Sequence, residues 1–181
     1  MRNDSSQFEL SRRDFAKASA LAGFAILSAR PSLGQSAEAV KVGLIGCGGR
    51  GFGAVMNCIT GVDNVKITAL ADVFEEKLKD CRSKLEGIKD PKLAGKIALT
   101  DETCFAGLDA YEQLLKTDVQ VIIHATPPYA RPVHIEAAVK AGKHIFTEKP
   151  IAVDPVGVRQ FMAAAREAEA RSLDGWEASL S

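Results

Sequence analysis

The chain reads as a doubly wound α/β domain of Rossmann type, a parallel sheet with helices on both faces. Three observations predict it. From Val40 onward, strand-like apolar runs alternate with helix-compatible stretches, and repeated strand–helix units of this kind build parallel sheets through right-handed crossovers. The first run, Val40 to Ile45, passes straight into Gly46-Cys47-Gly48-Gly49-Arg50-Gly51. The second, Val65 to Ala71, ends on Asp72, about 20 residues past that loop, where an acid meets the ribose of a bound dinucleotide.

Each element has its own justification. In the glycine loop, Gly46 allows the tight turn and Gly48 lets the backbone approach phosphate. Gly51 lets the following helix pack closely, and Gly49 lies in the same cradle beneath the helix dipole. Ala54 to Ile59 suits a helix, and a further helical stretch runs from Phe74 to about Leu85. Residues Glu86 to Lys96, with Pro91 and two glycines, read as a surface connection, and Ile97-Ala98-Leu99-Thr100 as a short third strand. Asp109 to Lys116 is helical, with Tyr111, Leu114 and Leu115 on one side. Val119 to Ala125 has the composition of a buried parallel strand. A helix from Pro132 to Ala141 stops at Gly142, a C-terminal cap. His144 to Thr147 is the next strand, and Asp154 caps a helix reaching about Arg171.

Charge narrows the partners. Lys+Arg and Asp+Glu are both 23 in 181 residues. Residues Met1–Ala39 hold five of the basic and four of the acidic residues, leaving 18 against 19. A near-neutral domain argues for a small molecule and against nucleic acid. The four cysteines, Cys47, Cys58, Cys81 and Cys104, form no C-x-x-C or His-clustered pattern, so no metal site is expected and buried free thiols are. Residues 1–39 read as a targeting segment. Ser11-Arg12-Arg13-Asp14-Phe15-Ala16-Lys17 resembles the twin-arginine export signal, and Ala18 to Ala29 supplies a modest apolar stretch. That stretch is too short and too rich in Ala and Gly to span a membrane. Cleavage is expected at Ala37-x-Ala39 or Ser32-x-Gly34. Export in the folded state, to the periplasm, suits a protein that takes up its nucleotide inside the cell.

Ligands in such sheets bind at the carboxyl ends of the strands. Thr126-Pro127-Pro128 follows the Val119–Ala125 strand, His134 lies early in the next helix, and Glu148-Lys149-Pro150 follows the last strand. With the glycine loop and Asp72, these residues resemble the Gfo/Idh/MocA oxidoreductases, which include glucose–fructose oxidoreductase and inositol dehydrogenase. The resemblance covers roughly Val40 to Ala170. It implies that Lys149 stands by the nicotinamide and the reacting carbon and helps move a proton, its pKa lowered by partial burial beside other cations. Pro150 biases Lys149 toward extended backbone. Glu148 is implied to support Lys149 or the nicotinamide ribose, and Thr126 and Pro127 to line the cleft with His134 behind them. Val73 and Phe74 follow Asp72 where an arginine would welcome a 2′-phosphate, so NAD is expected over NADP.

Plainer roles stand beside these. Asp72 also suits an N-cap for the helix starting near Phe74, though the glycine loop favours the ribose. His134 reads equally as a packing residue, and His124 and His144 as packed histidines. Arg131 and Arg50 read as surface charges, Arg50 with phosphate within reach, and Cys47 fits its loop because it is small.

The resemblance also implies a second α/β domain that supplies the substrate pocket, an acid–base pair and the usual oligomer interface. Here Ser172 to Ser181 carries no strand pattern, which suggests a truncated gene model or a frame change and a missing C-terminal domain. Three functions follow as expectations: an exported NAD-dependent oxidoreductase of a sugar or polyol, a catalytically silent NAD-binding module, or a glycosidase of the same fold that oxidises transiently, eliminates and returns the hydride. As a 181-residue chain, weak cofactor binding and little turnover are expected, because orienting the substrate needs a second wall.

Overall fold

The central strand, β1 (Val40–Ile45), is paired on both sides in a computed structural model that describes residues 38–170. The expected export signal and the Ser172–Ser181 ending lie outside those residues. After β1 come α1 (Gly49–Gly61), β2 (Val65–Asp72), α2 (Glu75–Glu86), the single turn α3 (Pro91–Ala94) and β3 (Cys104–Ala106). The second half runs α4 (Ala110–Leu115), β4 (Val121–His124), α5 (Arg131–Lys140), β5 (His144–Thr147) and α6 (Pro155–Ala170). The five strands are parallel and lie in the order β3-β2-β1-β4-β5. The doubly wound Rossmann sheet is the predicted fold. Its winding reverses between β1 and β4, which opens a crevice at their carboxyl ends.

Alternation along the strands divides the core into two layers. Leu44, Leu70 and Ile123 face Val55 and Ile59 of α1 and Leu78 and Leu85 of α2. Ile45, Ala71, Ile122 and Ile145 face Leu114 of α4, Ile135 and Val139 of α5 and Phe161 of α6. Gly43 is a glycine for packing, since a Cβ there would meet Leu114 Cδ2 at 2.9 Å. In β2 the register slips by one residue: Val42 faces Ile67 but Gly43 faces Ala69, so Thr68 is the unpaired residue of a bulge. The Thr68 hydroxyl is buried without a hydrogen-bond partner.

Helix ends follow the expected chemistry. Gly142 (φ 68°) closes α5: its N–H donates to Val139 O and that of Lys143 to Ala138 O, a Schellman cap. Asp154 Oδ1 accepts from Gly157 N at 2.7 Å and starts α6. Two expectations are corrected. The third strand is Cys104–Ala106 and not Ile97–Thr100: Ile97 makes one isolated bridge to Ile67 before the chain turns away. And α1 begins at Gly49 rather than Ala54: glycine is a poor helix former, so the first turn is masked in the sequence, and close packing of Gly51 on Gly46 O and Leu44 sets it in the fold.

Candidate cofactor site

The glycine loop is built from backbone. Gly46 has φ 100°, and a Cβ there would lie 2.8 Å from the carbonyl of Ala125, so glycine lets the ends of β1 and β4 approach. At Gly51 a Cβ would stand 1.9 Å from Gly46 O, so the helix enters directly beneath the loop. Around Gly48 and Gly49 the space is open. No side chain caps α1 and its first turn holds no acid, which leaves its amides and dipole facing outward toward negative charge.

Asp72 is part of this cradle. Its Oδ2 accepts from Cys47 N at 2.7 Å and its Oδ1 from Phe74 N at 2.9 Å. One carboxylate thus ties the glycine loop to the turn after β2, while α2 starts three residues after Asp72, with Phe74 at its cap position. Each oxygen keeps a lone pair for a ligand hydroxyl. Below the loop, Cys47 and Cys81 are buried free thiols, and contact with Cys81 together with burial pushes the Cys47 thiol up from its ordinary range.

The opposite wall is built from side chains. His124, the last residue of β4, is fully buried, with Nδ1 3.1 Å from Thr147 Oγ1 and Nε2 2.8 Å from Thr126 Oγ1 and 3.3 Å from His134 Nδ1. His134 in turn stacks on Tyr111 with ring centroids 4.1 Å apart. Burial, then the neighbouring His134 and Arg131, hold His124 well below the usual histidine range. Burial pushes His134 down to about 4. The expectation of a packed His124 holds, with the addition that it fastens together the ends of β4 and β5.

Arg131 is the correction of most consequence. Expected on the surface, it is 5% exposed. Its Nε donates to Thr126 O at 2.8 Å, and its Nη1 to Glu148 O and to Pro150 O, the latter at 2.6 Å. Backbone acceptors leave no trace in a sequence. The one available signal was positional: an arginine opening a helix sits at the end where a cation is disfavoured, so something other than the helix must hold it.

The structure brings most of the predicted residues to one edge of the sheet. Asp72 ends β2, and Gly46, Gly48, Gly49, Gly51, Pro127, Glu148, Lys149 and Pro150 follow the carboxyl ends of β1, β4 and β5. Thr126 lies there too, but its hydroxyl turns inward to His124, so the exposed Pro127 presents the surface of that turn. His134 lies behind the wall rather than on it. Lys149 is exposed, not partly buried, and its ammonium has no hydrogen-bond or ion-pair partner among the described residues. Arg50 is exposed as expected, yet its Nη2 lies 2.5 Å from the buried Oε1 of Glu148.

Residues 40–173 match the family model of the Gfo/Idh/MocA oxidoreductases, described as an NAD-binding Rossmann fold. The chain belongs to that family. Its cofactor is NAD, and the open backbone cradle with a carboxylate at the second strand end fits it. Among curated relatives, a glycosyl hydrolase family 109 protein of Solibacter usitatus is 35% identical over 153 residues, covering 78% of this chain and 33% of that protein. An inositol 2-dehydrogenase of Azotobacter vinelandii is 26% identical over 125 residues, covering 69% of this chain and 32% of the relative. The chain thus spans about a third of the length of these Gfo/Idh/MocA relatives. In fold it is similar to scyllo-inositol dehydrogenase from Lactobacillus casei with bound NAD(H) and scyllo-inositol. The TM-score is 0.54 at 22% identity, over 73% of this chain and 34% of that one.

Proposed function

We propose that this domain is the nucleotide-binding part of an NAD-dependent oxidoreductase that oxidises a carbinol of a sugar or polyol. The observation that carries the reading is the convergence, on one sheet edge, of the Asp72-anchored glycine loop and Glu148-Lys149-Pro150. When bound, NAD supplies the hydride acceptor. The α1 amides hold its pyrophosphate and Asp72 receives the adenosine ribose hydroxyls. Lys149, exposed at the cleft and with no partner for its ammonium among the described residues, orients the substrate hydroxyl and takes part in moving its proton. The inositol 2-dehydrogenase relative supports a polyol as substrate.

A second reading has a specific support, the 35% identity to a glycosyl hydrolase family 109 protein. There the same site would oxidise the sugar, the aglycone would leave by elimination, water would add to the resulting double bond, and the hydride would return to the sugar. We further propose export through the twin-arginine route, supported by Ser11-Arg12-Arg13 and Phe15.

One assay separates the chemistries. Native protein, purified from its source, is given NAD with a panel of sugars and polyols, then with aryl glycosides. Absorbance of NADH rising with turnover, and lost in Lys149→Ala while NAD still binds, supports the oxidoreductase. Release of aglycone that requires NAD but yields no net NADH supports the glycosidase instead. Neither signal, in protein that binds NAD, leaves the silent binding module standing. For export, replacing Arg12 and Arg13 by lysine in a reporter fusion is expected to keep the fusion inside the cell. Secretion that survives the change would refute the route.

A further inference from the structure

The ion pair between Arg50 and Glu148 joins the two walls of the cleft. Arg50 is the second residue of α1 and its side chain is 60% exposed, whereas the Glu148 side chain, directly after β5, is 4% exposed. Their approach of 2.5 Å is electrostatic contact without hydrogen-bond alignment, for Glu148 Oε1 is buried with no hydrogen bond. A buried, incompletely satisfied carboxylate oxygen therefore points at the mouth of the glycine loop. It does so where α1 has no capping side chain and no acid in its first turn.

We propose that Arg50 is a phosphate-binding residue held in reserve by Glu148, so that the NAD pyrophosphate and the Glu148 carboxylate compete for one guanidinium. The inference deepens the NAD site and rests on it. Arginine forks onto phosphate in a bidentate manner that a single carboxylate oxygen does not match here. An exposed side chain swings at little cost, and no aligned hydrogen bond holds Arg50 to the buried Glu148 carboxylate. Release does not strand Glu148 as a lone buried charge. Arg131 lies beside it, fixed by the carbonyls of Thr126, Glu148 and Pro150, and the two interact electrostatically. Freed of Arg50, the Glu148 carboxylate turns its acceptors to the ribose diol on the nicotinamide side, next to Lys149. Arrival of the phosphate end thus prepares the pocket for the reactive end.

The competition has a sign that a merely structural ion pair lacks. ADP carries the phosphate end only. With the full 181-residue chain, calorimetric titration of ADP and of NAD is compared for the wild type, Arg50→Gln, Glu148→Gln and the double variant. Glu148→Gln is expected to bind ADP about fivefold more tightly while losing affinity for NAD, and Arg50→Gln to bind ADP about fivefold more weakly. In the double variant the Glu148→Gln gain for ADP disappears. ADP affinity unchanged or weakened by Glu148→Gln, or a gain that persists without Arg50, overturns the competition while leaving the NAD site intact. If no protein, wild type included, binds ADP or NAD, the site itself falls and the inference with it. Arg50→Gln lies on the surface, so its result stands even if Glu148→Gln fails to fold.

Discussion

The two walls of the cleft are made of different material. Around β1, α1 and β2 the site is backbone: glycines that admit close approach, uncapped amides, and one carboxylate holding Cys47 N and Phe74 N. Around β4, α5 and β5 it is a set of buried side chains, with Arg131 fastening three carbonyls and His124 linking Thr126 to Thr147. The first wall tolerates no added atom at Gly46 or Gly51; the second tolerates no lost donor at Arg131. A wall that only cradles phosphate can be built from bare amides. A wall that, on the proposed reading, aims Lys149 needs its strand ends locked against each other.

Four perturbations test that contrast. The largest effect belongs to Gly51→Ala, whose Cβ would stand 1.9 Å from Gly46 O. NAD affinity measured by calorimetry should fall by about 1,000-fold, roughly 4 kcal/mol, and near-normal binding would show that the cradle yields. Next, Arg131→Met leaves the buried carbonyls of Thr126 and Glu148 and the part-buried carbonyl of Pro150 without their donor. Urea denaturation should show a loss of about 3 kcal/mol, and a neutral result would remove the lock from the second wall.

Acid comes third. His134 titrates near 6.5 when unfolded and is pushed down to about 4 in the folded chain, so between these values the unfolded state binds more protons. The histidine contribution is therefore full above pH 6.5 and is lost as pH falls toward 4, about 2 kcal/mol of it between pH 7 and 5. His134→Gln should flatten that limb of the stability profile, and an unchanged slope would argue against a buried neutral ring. Smallest is Asp72→Ala, expected to weaken NAD about tenfold. Binding that survives unaltered would return Asp72 to a purely structural tie between loop and turn.

How much of this was readable beforehand follows from the same contrast. Glycines, the strand-end aspartate and the Glu-Lys-Pro turn announce themselves because each needs a particular residue type at a particular place. The strands β1, β2 and β4 showed in apolar runs, since both faces of each contribute to the core, whereas β5, with Phe146 exposed, buries only the Ile145 face. Ile97 to Thr100 misled because an apolar run resembles a strand whether or not a neighbour pairs with it, and only Ile67 does. Meanwhile β3, three residues of half-buried Cys104, Phe105 and exposed Ala106, was too short to carry a pattern. Arg131 and the His124 network were illegible for a different reason. The partners of Arg131 are carbonyls, and the Thr147 hydroxyl reaches His124 only through the pairing of β4 with β5, which no local spacing encodes.

The bulge at Thr68 carries a consequence at the level of the gene. Because Thr68 is the unpaired residue, removing its codon would leave Val42 beside Ile67 and Gly43 beside Ala69, with every later partner unchanged up to Ile45 and Ala71. Asp72 would keep both its face and its place, and an unsatisfied hydroxyl would vanish. The count of residues from glycine loop to acid can thus drift by one across a lineage while the geometry stands still. A search that treated that interval as a fixed ruler would overlook functional descendants.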